Sequence, residues 1–304
     1  MRARFRTVVR AVFWVAALAG VAAPAVAQEM EPRAYAPSPT GMNFVLASVT
    51  QSSGGIAVDP SLPLDNIDAT INVTNVGYLH TFGLLERAAS VGVVIPYAWG
   101  TVAGDVFEER REVRRSGLAD VRLRLAINLF GGPAQDRQQF AASTRGTSVG
   151  ASLTLAVPTG EYFADKVINV GSNRWALKPE IGIYHPIGAW SFELSAGAWF
   201  YGDNDDFYGG VRREQDPVTG LQAHVGYTFR PSLWVAADLN YYGGGRTTVD
   251  GERQADLQKS SRVGLTMSLP IARGHSIKLA WTDGMTTRIG ADFTTYGVTW
   301  QHSW

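Results

Sequence analysis

The sequence predicts an all-β fold, a transmembrane antiparallel up-and-down β-barrel of about 12 strands. Three observations predict it. The N-terminus has the composition of an export signal, many segments alternate between apolar and small or polar residues, and the connections between them alternate between short and long. Together these features are typical of the outer membrane of a Gram-negative bacterium.

Residues 1–27 have the composition of a secretory signal peptide. Four arginines precede an apolar run over residues 11–23: Arg2, Arg4, Arg6 and Arg10. Ala25-Val26-Ala27 supplies a small-x-small site, so we expect cleavage near Ala27. A retained membrane anchor is disfavoured because the run is shorter than the ~20 residues of a spanning helix and ends at Pro24.

Composition argues against several classes of function. Removing the four arginines of the signal from the 27 basic residues leaves 23 against 27 acidic residues, a net charge of about −4. That balance offers no basic excess, so no nucleic-acid partner is expected. The chain has no cysteine and its five histidines lack paired spacing, so no metal and no cofactor are expected.

Residues 28–42 are predicted to be an N-terminal periplasmic segment, and residues 43–304 the barrel. Six segments alternate with a period of two and are the clearest strands: 120–129, 148–157, 190–200, 221–230, 262–269 and 277–282. Six more complete the count: 43–52, 68–82, 88–99, 175–185, 232–242 and 296–304. The pattern changes phase around Thr74-Asn75, which predicts a bulge or a kink there.

The connections alternate in length, as expected for short periplasmic turns and long external loops. The short ones lie near residues 85–87, 186–189, 230–232 and 271–274, whereas the long ones approximate 53–66, 100–117, 159–174, 202–220, 243–260 and 283–292. Residues 131–145 break the rule, since this connection should be periplasmic yet is long. Either the strand count is off or this turn is unusual.

The last nine residues form a strand with one aromatic face, on which lie Tyr296, Trp300 and Trp304. We expect this strand to close the barrel by pairing with residues 43–52. Its aromatic end then lies at the edge of the outer-membrane lipid and serves assembly by the barrel assembly machinery. A soluble β-sandwich also alternates, but its strands are shorter and its outer face is charged.

Charged and polar side chains on the predicted inward faces are the first candidate site: Asp120, Arg122, Arg124, Lys178, Glu180, Glu193, His224, Arg230, Asp238, Arg262 and Lys278. Rings of lumen charge tune the selectivity of a pore. Alternatively, opposite charges pair across a narrow lumen. One specific hypothesis is that Arg122 and Arg124 pair with Glu180 or Glu193.

Other candidates are aromatic or lie in loops. Tyr184, Trp199 and Trp234 face the lumen and form stacking rungs for an aromatic solute or pack against their neighbours. Arg174 binds a carboxylate or clamps a loop through Asp216 or Asp250. The acidic run at 203–206 lacks the spacing of a calcium loop, so a solvated loop is favoured.

Several motifs resemble one family. The most specific is the run GSNRWALKPE at 171–180, and seven further segments agree with it in order: 32–35, 41–44, 116–120, 158–162, 214–217, 244–251 and 261–264. The mature chain thus resembles the outer-membrane protein family described as belonging to the MetA pathway of phenol degradation. The resemblance implies a transporter-like barrel associated with aromatic-compound catabolism, and it brings no catalytic residues.

Three functions remain open. The first is an outer-membrane channel for small aromatic or hydrophobic solutes. The second is a plugged structural or adhesive barrel whose long loops do the work. The third is a hydrolase with a serine, histidine and aspartate at the barrel rim.

Overall fold

The computed structural model describes residues 30–57, 64–106 and 109–304. Twelve strands close into one antiparallel barrel, as predicted. The signal-peptide prediction lies outside the described residues. Within the described part of the chain, no helix is long and apolar enough to cross a membrane.

The barrel wall follows the chain order, with each strand paired to its sequence neighbours. Its strands are β1 (Asn43–Ala57), β2 (Leu64–Leu84), β3 (Arg87–Val106), β5 (Val121–Phe130), β6 (Ser148–Val157), β7 (Ala176–Ile187), β8 (Trp190–Tyr201), β11 (Val218–Arg230), β12 (Leu233–Gly244), β15 (Gln258–Ala272), β16 (His275–Thr287) and β17 (Gly290–Ser303). The extra strand β4 (Glu109–Leu118) forms a hairpin with the far half of β3 and continues into β5.

The first and last strands close the barrel, as expected. β1 and β17 pair from Phe44 opposite Ser303 to Ala57 opposite Gly290, without a shift. Beyond the strand, the backbone N–H of Asn43 donates to the carbonyl of Trp304 at 3.0 Å. Closure leaves no free strand edge, the condition for a sheet to sit in lipid.

The alternation divides the side chains between lipid and lumen. Large apolar residues on the outer face are about half exposed, for example Leu194 at 55%, Leu265 at 57% and Val298 at 51%. An apolar surface this extensive marks a membrane-facing wall. Tyr296, Trp300 and Trp304 belong to this outer face.

The bulge predicted at Thr74-Asn75 is wrong. β2 pairs with both neighbours in register through these residues, and its irregularity lies between Asp65 and Asp68. The pattern changes phase because the far end of the lumen is apolar. There a small core forms from inward side chains: Ile56, Ile67, Ala69, Ala291 and Phe293.

The two ends of the barrel differ. At the long-loop end, β9 (Asn204–Phe207), β10 (Val211–Gln215), β13 (Thr247–Val249) and β14 (Glu252–Arg253) form a separate four-stranded sheet. At the short-turn end, the long connection predicted at 131–145 contains helix α1 (Arg137–Ala142), capped by Asp136 and Gln139. The strand count therefore holds, and this turn is the unusual one.

Candidate functional site in the barrel lumen

The N-terminal segment lies inside the barrel. Residues 28–42 were expected in the periplasm, but from Glu31 to Tyr35 the chain contacts inward side chains of β6, β7, β8 and β11. The segment leaves at the short-turn end, where the Thr40 N–H donates to the Gln135 carbonyl at 2.7 Å. The expectation fails because the segment's polar groups find buried partners there.

Tyr35 fills a slot made by two glycines. Gly150 and Gly182 are cross-strand partners on β6 and β7. A Cβ atom built on either would lie 2.6 Å or 2.2 Å, respectively, from a Tyr35 ring atom. The ring therefore requires both positions to lack a side chain.

Hydrogen bonds fix the segment at several further points. The Tyr35 hydroxyl donates to Glu180 Oε1 at 2.8 Å and lies 2.9 Å from Ser152 Oγ. The backbone N–H of Arg33 donates to Glu193 Oε2 at 2.7 Å, and its Nη2 donates to Thr228 Oγ1 at 2.6 Å. The segment thus uses both inward glutamates.

Glu180 and Glu193 therefore have partners other than those that the sequence hypothesis gave them. Lys178 Nζ donates to Glu180 Oε2 at 3.1 Å, along one face of β7. Arg124 lies over the Tyr35 ring at 5.7 Å and reaches Ser152 Oγ at 3.4 Å. Among the described residues Arg124 forms no ion pair with Glu180 or Glu193 within 4 Å, and the ring of Tyr35 lies against it instead. Pairing of the inward-facing Arg122 with either glutamate stays a prediction.

A second polar cluster lies on the neighbouring strands β11, β12 and β15. His224 Nδ1 is 2.7 Å from Asp238 Oδ1, and the Thr266 hydroxyl donates to Asp238 Oδ2 at 2.6 Å. His224 and Asp238 are cross-strand partners, as are His224 and Glu193. All four side chains are buried, so the strand register alone assembles this network.

The remaining inward candidates have separate environments. Arg262 is buried and donates to the Phe293 carbonyl at 2.6 Å, under the apolar core. Lys278 faces the lumen and attracts Glu31 of the N-terminal segment. Asp120 is a loop anchor instead, accepting from the N–H groups of Gly160 and Ser172 at 2.9 and 3.0 Å.

Arg230 is misassigned to the lumen. It pairs with Leu233 across a bulge that follows Thr228. Thr228 shares its face with inward Trp234, so the bulge turns Arg230 to the other face. Arg230 is exposed near the short-turn end.

The three lumen aromatics are buried and packed. The Arg33 guanidinium covers Trp234 at 4.5 Å from the ring centroid. Trp199 has Lys178 Nζ 5.6 Å from its centroid and stacks with Tyr201 at 6.5 Å. Tyr184 is 7% exposed. In this structure the three rings pack against neighbouring side chains, which is the second of the two interpretations offered for them.

The loop candidates do not form the predicted clamp. Arg174 donates from Nη2 to Gln215 Oε1, whereas Asp216 pairs with Arg253 at 3.0 Å. The Asp250 N–H donates to the Arg212 carbonyl at 2.9 Å. A clamp to Asp216 or Asp250 is therefore wrong, because the carboxamide one residue earlier faces Arg174.

Arg212 also contacts the acidic run at 203–206. It forms ion pairs with Asp203 and, at 3.6 Å, with Asp205. Among the described residues no group of three His, Cys, Asp or Glu side chains is placed to hold a metal.

Sequence reasoning missed the lumen role of Glu31, Arg33 and Tyr35. Two signals pointed there. The segment 32–35 is one of the motifs on which the resemblance was based, and glycines interrupt inward faces at positions 150 and 182. Neither identifies a partner, since Tyr35 and Glu180 are 145 residues apart.

Comparison with known proteins agrees with this architecture. The family described as "Putative MetA-pathway of phenol degradation" matches residues 47–292. An outer-membrane channel from Pseudomonas putida F1 superposes with a TM-score of 0.79 at 22% identity, over 91% of this chain and all of that one. The β domain of the Bordetella autotransporter BrkA gives 0.53 at 11% identity, over 87% of this chain and 100% of that one. Among curated proteins there is no match.

Proposed function

This chain belongs to the family described as "Putative MetA-pathway of phenol degradation", and we propose that it is an outer-membrane channel for small aromatic or hydrophobic solutes. The observation that carries the proposal is the N-terminal segment in the lumen. The segment belongs to no strand and is held by side-chain hydrogen bonds, cation–π contacts and the glycine slot. Its departure leaves the twelve-stranded wall intact.

The location of the segment suggests how the channel is regulated. We expect signal cleavage near Ala27, which leaves only a few residues before Glu31. The contacts that hold the segment are individually modest, since an internal hydrogen bond contributes about 0.5–1.5 kcal/mol net, or about 1.5–3 when one group is charged. A segment of this kind opens by local rather than global unfolding.

Deleting residues 28–38 from the mature chain tests the proposal. The deletion stops before Pro39, whose carbonyl accepts from the Thr81 hydroxyl at 2.7 Å at the short-turn end. In planar bilayers we expect a several-fold larger single-channel conductance than that of the full mature chain, together with faster entry of aromatic solutes into liposomes.

A full-length double variant, Arg33→Ala with Tyr35→Ala, is the matched control for chain length. It keeps the segment and removes its main anchors, so we expect an intermediate conductance with more frequent opening. A deleted barrel that folds but passes neither ions nor aromatic solutes contradicts the channel proposal.

That negative result would favour the second function, a plugged structural or adhesive barrel. The observation in its favour is the extent of paired side chains in the lumen, such as Lys178–Glu180 and His224–Asp238. It predicts unchanged growth on aromatic carbon sources when the chain is removed from its host.

We propose no enzymatic step. A rim hydrolase requires a histidine–aspartate pair open to substrate near the barrel mouth. Among the described residues the histidine–aspartate ion pair is His224–Asp238, which is buried in the wall, and its aspartate also binds Thr266. This arrangement favours a structural role for the pair.

A further inference from the structure

Two buried arginines lie at the long-loop mouth of the barrel. Arg174 lies two residues before β7 and is 3% exposed, and Arg213 in β10 is 7% exposed. Burial, and then repulsion by Arg213, lowers the pKa of the Arg174 guanidinium to about 9. Arg174 therefore carries its charge at neutral pH, in a region with little water.

In the part of the chain that the structure describes, Arg174 forms no ion pair, and Asp120 and Asp203 act on its charge only from a distance. Among the described residues its guanidinium has one hydrogen-bond partner, the neutral Gln215 Oε1, while Nη1 is buried and has none. Asp120 uses its carboxylate for Ser172 and Gly160, and Asp203 pairs with Arg212. A buried cation without a counter-ion is costly, and a planar guanidinium with a free nitrogen matches a carboxylate.

Aromatic rings continue from this charge into the lumen. The Arg174 guanidinium lies 4.5 Å from the centroid of Tyr201, which stacks on Trp199 with an interplanar angle of 19°. Lys178 Nζ lies 5.6 Å from the Trp199 centroid, beside a small cavity of about 20 Å³. Two rings therefore lie between an outer and an inner cation along β7 and β8.

We propose that this mouth binds organic anions with an aromatic body, such as aromatic carboxylates. Arg174 receives the carboxylate through Nη1, and the Tyr201–Trp199 pair receives the ring. The loops part to admit the anion, because the site is closed in the present conformation. This inference rests on the proposed channel function and names its solute class.

Benzoate is the probe for the test. The full mature chain in detergent micelles is titrated with benzoate, and binding is followed by calorimetry and by quenching of tryptophan fluorescence. We expect saturable binding that weakens at least tenfold in Arg174→Gln. Arg253→Gln is the matched control, since Arg253 is exposed and pairs with Asp216 outside this cluster.

A second variant tests the same site if Arg174→Gln fails to fold. Gln215→Glu places a carboxylate against Nη2 with almost no change in shape, which gives Arg174 an internal counter-ion. We expect benzoate binding to be lost while the melting temperature stays equal or rises. Benzoate affinity equal to that of the unmodified chain in the folded variant overturns the proposal.

Two further ligands test the contributions of Arg174 and of the aromatic rings separately. Benzyl alcohol has the ring without the charge, and acetate has the charge without the ring, so each should bind at least tenfold more weakly than benzoate. Benzyl alcohol binding as tightly as benzoate overturns the role of Arg174, and acetate binding as tightly overturns the role of the rings. Because titration does not measure conductance, this inference can fail while the segment-deleted barrel still conducts.

Discussion

At the scale of single residues, buried polar pairs determine how the lumen is organised. His224, Asp238 and Thr266 satisfy one another on three neighbouring strands, and Lys178 with Tyr35 satisfies Glu180. Removing one member leaves the others buried and unpaired, which costs more than the lost bond itself. Exposed pairs in the loops lack this coupling, because water replaces the lost partner.

Asp238→Ala should therefore lower the free energy of unfolding by about 2–4 kcal/mol, since His224 and Thr266 both lose their partner. Urea unfolding of the barrel in lipid vesicles measures the change. Asp216→Ala is the control, because Asp216 forms an ion pair with Arg253 in which the side chains are 54% and 64% exposed. We expect less than about 1 kcal/mol there, and equal effects of the two substitutions would contradict a structural network at Asp238.

At the scale of elements, the N-terminal segment and the strands around it fit as complementary shapes. The Gly150–Gly182 pair removes two side chains from the inward faces of β6 and β7, and the Tyr35 ring occupies that space. A strand glycine normally weakens a sheet, so these two are explained by the close approach of the ring. The wall therefore has a shape that fits the N-terminal segment.

Gly182→Ala should displace Tyr35, because the new methyl group would lie 2.2 Å from its ring. Overpacking of this kind costs about 1–3 kcal/mol, enough to favour release of the segment over distortion of the wall. We expect longer open times in single-channel recordings. Gly220→Ala is the control, since the nearest atom to its added Cβ is 4.0 Å away. Identical recordings from the two variants would mean that the ring does not close the lumen.

At the scale of the whole molecule, closure between β1 and β17 converts a long apolar sheet into a barrel. The seam is continuous, and the Trp304 N–H donates to the Asn43 carbonyl at 3.1 Å at its end. The outward aromatic rings of Trp300 and Trp304 place this seam at the lipid boundary.

Trp304→Ala should lower the amount of folded barrel in the membrane if, as we propose, the terminal ring serves insertion, since the backbone bonds to Asn43 remain. Heat-modifiable migration of membrane extracts measures the folded fraction. Trp190→Ala is the control, as Trp190 is also outward and 49% exposed but lies within the wall. An equal reduction in both variants would assign the effect to the aromatic belt and not to the closing strand.

The sequence by itself determined the wall of this protein. Alternation with a period of two is a local property, so the twelve strands, their lipid face and the closing pair could be predicted from residues such as Leu123, Leu125 and Val298. Short motifs are also local, and the resemblance to the family rested on them. Even the unusual turn at 131–145 was visible as a violation of loop length.

Only the tertiary structure decided what fills the lumen. Tyr35 meets Glu180 across 145 residues and Arg33 meets Glu193 across 160, and no local pattern encodes such contacts. The same holds for Arg174, whose partner is Gln215 and not the adjacent Asp216. Inside a closed barrel, partners are selected by strand register and by a bulge such as the one that turns Arg230 outward, and a shift of one residue exchanges the two faces.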